Sequence, residues 1–136
     1  MAKTKAFQIA ELIRVFNYDT DNDEIVTTKT TKDKNSKRGN ASKTATDEFA
    51  LDTFAKADYR AARYIVAITE GSKYHSTEIM LVHDGSSVTM TQYGTLKSHS
   101  LATFDADVSG SDVRLLCTPA STSSTTIKFD RTVVDA

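Results

Sequence analysis

From Thr46 onward the chain is cut at short intervals by turn-forming residues, and between the cuts apolar and polar side chains alternate. A period of two gives each segment one apolar face. Such segments, recurring every 8–12 residues or about that, are the signature of an antiparallel β-sandwich. The predicted strands are Phe49 to Phe54, Tyr59 to Thr69, Ser76 to His83, Ser87 to Tyr93, Leu101 to Val108, Val113 to Thr118 and Thr125 to Val134. Gly71-Ser72, Asp84-Gly85 and Ser109-Gly110-Ser111 mark turns; Asp-Gly is the strongest of these, because hairpin turns need positive φ. Tyr64, Val66 and Ile68 share one face of their strand, as do Ile127, Phe129, Arg131 and Val133 in the last. Phe49, Leu51 and Thr53 alternate with Glu48, Ala50, Asp52 and Phe54. No long helix is predicted after residue 17. The fold class is all-β: an antiparallel β-sandwich with an N-terminal extended arm and a basic loop.

Residues 1–45 are read as that arm and loop, and residues 46–136 as the sandwich body. Ala6 to Asn17 satisfies both a helical and a strand period; the β character of the rest favours an extended arm or strand. Residues 17–24 read as a turn, and Glu24 to Thr31 as a polar, Thr-rich strand. Residues 32–46 have no apolar period and read as an exposed, mobile loop.

At 136 residues the chain is one domain long, with room for one sizeable core. It has no apolar run of membrane-spanning length and no secretory leader by pattern, so synthesis in a cytoplasm is expected. The net charge is −1, but residues 29–43 carry Lys29, Lys32, Lys34, Lys37, Arg38 and Lys43 against Asp33 alone. The remainder is acidic, unlike a chain that binds nucleic acid over its whole surface. Three readings of the basic segment stay open: a solvated loop, a dock for an acidic protein surface, or a nucleic-acid contact. The last is weakest, because no aromatic residue is interleaved for base stacking.

No catalytic, cofactor-binding or metal-binding residues are assigned. Asp19, Asp21 and Asp23 have the spacing of the first three ligands of a calcium loop, but Glu24 stands where the loop needs Gly and Thr30 where it needs a bidentate Glu. His75, His83 and His99 form no metal-type spacing with one another or with Cys117. Cys117 lies in a strand-like run and reads as a small buried hydrophobe. No nucleophile elbow and no phosphate loop is present. Glu78 shares a face with Met80 and Val82; if that face and the Arg131 face both point inward, the two charges should pair, since a lone buried charge is costly.

Asp52-Thr-Phe-Ala-Lys-Ala-Asp-Tyr-Arg60 followed by Ala62-Arg-Tyr-Ile-Val66 resembles the start of a β-sandwich module of tailed-phage, cyanophage-like virion structural proteins. Glu78-Ile-Met-Leu-Val-His-Asp-Gly85 and Thr91-Gln-Tyr-Gly94 are similar to its central hairpin. Leu101-Ala-Thr-Phe-Asp-Ala-Asp107, Val113-Arg-Leu-Leu116 and Lys128-Phe-Asp-Arg-Thr132 continue the pattern, which covers residues 52–134. The resemblance implies a non-enzymatic virion protein displayed on the particle and anchored by its arm. Capsid decoration or a small tail or neck component would suit a short freestanding module. It implies other virion proteins and copies of the chain itself as partners, no cofactor and no membrane. A receptor- or carbohydrate-binding module of a fibre is the alternative; the absence of Trp weighs against it.

Overall fold

The structure, a computed structural model, describes the backbone of residues 16–19 and 24–27 and the whole of residues 35–136. It comprises two compact units, Met1–Lys34 and Asn35–Ala136. In the first, β1 (Phe16–Asp19) and β2 (Glu24–Thr27) form an antiparallel pair with Phe16 opposite Thr27 and Asp19 opposite Glu24. Residues 17–19, expected in a turn, thus belong to a strand. Residues 6–15 of the arm, Asp21 and Asp23 of the calcium-like run, and Thr28 to Thr31 lie outside the described residues.

The second unit is an antiparallel β-sandwich. Its strands are β3 (Ser36–Lys43), β4 (Phe49–Ala55), β5 (Tyr59–Glu70), β6 (Lys73–His83), β7 (Val88–Lys97), β8 (Ala102–Ser109), β9 (Asp112–Pro119) and β10 (Thr125–Asp135). One sheet has the order β3-β10-β5-β6-β7, the other β4-β9-β8. Gly71, Gly85 and Gly110 all have positive φ at the predicted turns. The β6–β7 connection runs over residues 84–87, closed by the Asp84 N–H to the Ser87 carbonyl at 3.1 Å.

Alternation places Tyr64, Val66 and Ile68 of β5, Ile127, Phe129 and Val133 of β10, and Val113, Leu115 and Cys117 of β9 in the core, as their periods predict. Full burial of one such aliphatic side chain is worth about 1.5–3 kcal/mol. The edge ring of Tyr64 meets Phe129 at 5.8 Å between centroids. Among the described residues no helix is long and apolar enough to cross a membrane.

Three expectations are corrected. Residues 36–43 are not a loop but the edge strand β3, paired with β10 from Ser36–Thr132 to Lys43–Thr125. An edge strand is held by its backbone ladder, so it can be polar throughout, and lysines there discourage further strand addition. Gly39 marks the strand: a Cβ at that position would overlap the Phe129 ring. In β4, a bulge at Leu51 sets Ala50 opposite Leu116 but Asp52 opposite Leu115. That extra residue turns both Asp52 and Phe54 into the core. In β6 the buried positions are His75, Thr77, Ile79, Leu81 and His83, so Glu78, Met80 and Val82 face outward.

Candidate functional site

Asp52 is the most heavily bonded side chain of the sandwich interior. The β4 bulge delivers it from the three-stranded sheet onto β5, β10 and β3. The Tyr64 hydroxyl donates to Oδ2 at 2.9 Å, and Arg131 Nη1 donates to the same oxygen at 2.8 Å. Lys37 Nζ donates to Oδ1 at 2.6 Å from the edge strand. The Asp52 side chain is fully buried and that of Arg131 nearly so, whereas Lys37 is about half exposed (48%). The Arg131 guanidinium lies 5.7 Å from the Phe54 ring centroid and 6.0 Å from that of Tyr59. Its Nε is buried without a partner among the described residues.

Burial, reinforced by the neighbouring Asp52 carboxylate, pushes the Tyr64 phenol well above its usual range. Tyr64 is therefore a fixed hydrogen-bond donor and cannot serve as a base near neutrality. A carboxylate bound by three donors and sealed from water binds no substrate. Its chemistry is to tie the two sheets and the edge strand together in one register.

The expected Glu78–Arg131 pair does not form. Arg131 faces inward to Asp52, while Glu78 faces outward and accepts from Arg63 Nη2 at 3.0 and 3.2 Å. Four consecutive apolar residues, Ile79 to Val82, let either face of β6 pass for the core face. Asp52 and Lys37 were not singled out from the sequence. An acid sharing its strand face with Phe54 was the available signal, and the bulge hid it.

His83 Nε2 donates to the Tyr59 carbonyl at 2.7 Å, and Nδ1 accepts the Gly85 N–H at 3.0 Å, which assigns the tautomer and spends both nitrogens on the turn. His99 is exposed beside Ser98 Oγ at 3.1 Å. His75 is buried, and its Nδ1 accepts the Leu101 N–H at 3.2 Å. Cys117 is a buried free thiol, pushed up to about 12 by desolvation, as a core hydrophobe should be. Among the described residues no group of three His, Cys, Asp or Glu side chains could hold a metal ion. Of the basic segment, Lys37 is committed to Asp52, Arg38 lies 3.4 Å from Asp130, and the Lys43 ammonium stands 4.4 Å over the Phe49 ring.

No protein-family model and no curated relative matches the chain. Among solved structures, it is similar to the tailspike protein of Acinetobacter phage vB_ApiP_P1, with a TM-score of 0.50 and 18% identity over 82% of this chain and 24% of that one. A second similar chain is the tailspike protein of Acinetobacter baumannii phage AM24, with a TM-score of 0.40 and 10% identity over 74% of this chain and 26% of that one. The chain thus spans about a quarter of the length of the tailspikes it matches. The first likeness establishes that this all-β fold also occurs as part of a phage tailspike.

Proposed function

We propose that the chain is a non-enzymatic structural component of a phage particle, associated with the tail and present in several copies. The observation that carries this reading is the fold likeness to part of a phage tailspike. The sandwich chemistry agrees with it. The most elaborate polar cluster, around Asp52, is sealed and devoted to holding strands together. On the outward face of the five-stranded sheet Ile65, Met80, Val82 and Val134 are each about half exposed or more, set among the Arg63–Glu78 ion pair and Asp130, a mixed surface that another subunit could cover. Residues 1–34 are proposed as the anchoring part. The proposed anchor stops short of residue 35 because β3 pairs with β10 in the five-stranded sheet.

The test is incorporation. A chain lacking residues 1–34 should fold, as judged by cooperative unfolding, yet be missing from purified particles. Quantitative mass spectrometry of intact particles should find copies in the tens or fewer. Hundreds of copies would move the protein to the capsid surface, and absence from the particle would remove the virion reading.

A receptor- or carbohydrate-binding module is the second reading. It is favoured by a polar cleft at the open edge of the sandwich, lined by Gln92, Thr95 and Lys97. Failure of labelled protein to bind host cells or a glycan array above background would count against it.

A further inference from the structure

The two sheets do not close on one another at the side where β7 ends and β8 begins. β7 is the outer strand of the five-stranded sheet and β8 that of the three-stranded sheet. Between them, around residues 98–101, lies a cleft of about 560 Å³, within the size range of small-molecule sites. His75, Gln92, Thr95 and Lys97 form one wall, and Ser100 and Phe104 contribute to the other.

The side chains on the first wall break the pattern of a core. Val88 lies opposite buried His83 and Met90 opposite buried Leu81, so both face inward. Along the same face follow Gln92 opposite Ile79 and Lys97 opposite His75. A bulge between Ser76 and Glu78, with Gly94 at φ +60°, keeps Thr95 on that face too, where its hydroxyl meets Thr77 Oγ1 at 2.8 Å. Where the second sheet stops, this face turns polar and solvent-exposed at Gln92, Thr95 and Lys97, so its hydrogen-bonding groups are open to a ligand. Among the described residues no carboxylate pairs with Lys97. His75 adds a second unmet donor. Its Nδ1 accepts the Leu101 N–H, so the neutral ring carries its proton on Nε2, and that atom is buried without a partner. Burial, with the Lys97 charge beside it, lowers the His75 pKa and keeps the ring neutral near pH 7. Phe104 supplies an apolar surface across from these donors.

One ammonium, an amide and hydroxyls beside an aromatic ring suit a polyol with a single negative charge and C–H faces. We propose that the β7–β8 cleft binds a carboxylated sugar unit, with Lys97 on the carboxylate, Gln92 and Ser100 on ring hydroxyls, and Phe104 under the ring. The proposal deepens the binding-module reading and rests on it. The probe is methyl glucuronide, titrated into the ¹⁵N-labelled full chain and followed through amide shifts, with methyl glucoside and inorganic phosphate as comparisons.

Saturable shifts at Thr95, Lys97, Ser100 and Phe104 are expected. The glucoside should bind about tenfold more weakly, the loss of one charge-assisted bond, and Lys97→Gln should abolish that difference. Lys97 is exposed, so this variant should fold; Gln92→Ala, which should weaken both sugars alike, is the second. Equal binding of glucoside and glucuronide would overturn the assignment, and so would shifts reproduced by phosphate alone. No shifts in this cleft, with cell binding intact, would overturn the cleft and leave the binding-module reading standing; loss of cell binding as well would overturn both.

Discussion

Asp52→Asn is the most informative single change in this protein. It replaces one carboxylate oxygen by an amide nitrogen and hardly changes the volume, but it removes the charge that Arg131 and Tyr64 meet in the interior. Arg131 Nη1 is 2.8 Å from Asp52 Oδ2, in a site where the acid is fully buried and the base 8% exposed. Removing one partner of such a pair leaves an uncompensated buried charge, at a cost of about 3–5 kcal/mol. Lys37 adds little to that figure, because at 48% exposure its ammonium can turn to water. For a folded unit of this size the midpoint should fall by roughly 15–25 °C, taking roughly 5 °C per kcal/mol. The assay is urea unfolding followed by circular dichroism, with the slope m compared between variants. Asp52→Asn combined with Arg131→Met removes both charges and should recover most of the loss, which a double-mutant cycle measures as coupling. A loss below about 1 kcal/mol for Asp52→Asn, with m unchanged, would show the pair to be as weak as a surface ion pair and would refute the reasoning.

Gly39→Ala should cost about 1–3 kcal/mol by forcing the Phe129 ring aside, and amide exchange should quicken along β3 before it does along β5; uniform exchange would show that the glycine does not seat the strand. The His75 pKa lies below its ordinary 6.5 in the fold, so the unfolded chain binds more protons below that value; stability should be complete above it and decline as pH falls through it, and His75→Gln should flatten that decline. Asp84, held at about 2 against an ordinary 3.8 chiefly by the N–H groups of Ser87 and Ser86, adds a second decline between those values as its carboxylate is protonated; an unfolding midpoint that does not move from pH 4 to pH 2 would contradict it. Cys117 should resist a thiol-specific disulfide reagent at pH 8 until urea unfolds the chain, and prompt native labelling would place the thiol outside the core.

The strands with long, unbroken alternation were legible in the sequence. In β10 the inward residues Ile127, Phe129, Arg131 and Val133 are separated by Lys128, Asp130 and Thr132, which fixes the core face; in β5 the phase is set by Arg63 before and Thr69 after the apolar run. The turns were legible for a different reason: Gly71, Gly85 and Gly110 each sit where φ is positive. Asp52 was hidden because one extra residue, Leu51, reverses the face of everything after it, and a bulge leaves no mark in the order of residues. Glu78 was placed on the wrong face because Ile79-Met-Leu-Val82 has no polar residue to set the phase. β3 escaped notice because its stability resides in backbone bonds to β10, which composition does not record. The cleft wall was obscured in the same way as Asp52: the Gly94 bulge breaks the spacing of Gln92, Thr95 and Lys97, so they do not read as one face.

The register of β3 against β10 also sets how the sandwich answers to tension. The unit begins at Asn35, whose carbonyl accepts the Val133 N–H at 2.9 Å, close to its other end at Ala136, whose N–H donates to the Asp58 carbonyl. A pull between these neighbouring ends loads the ladder as a zipper, one pair at a time, beginning with Ser36–Thr132. The first interaction along that path is Lys37 on Asp52, and the next is the Phe129 ring packed over Gly39. Separating β3 from β10 would therefore break first an ion pair and then the cover over the Phe129 ring. Because β3 is bonded on one side only, its eight residues are the part of the unit whose loss would break the fewest ladder bonds, and the Asp52 cluster is what that loss would open first.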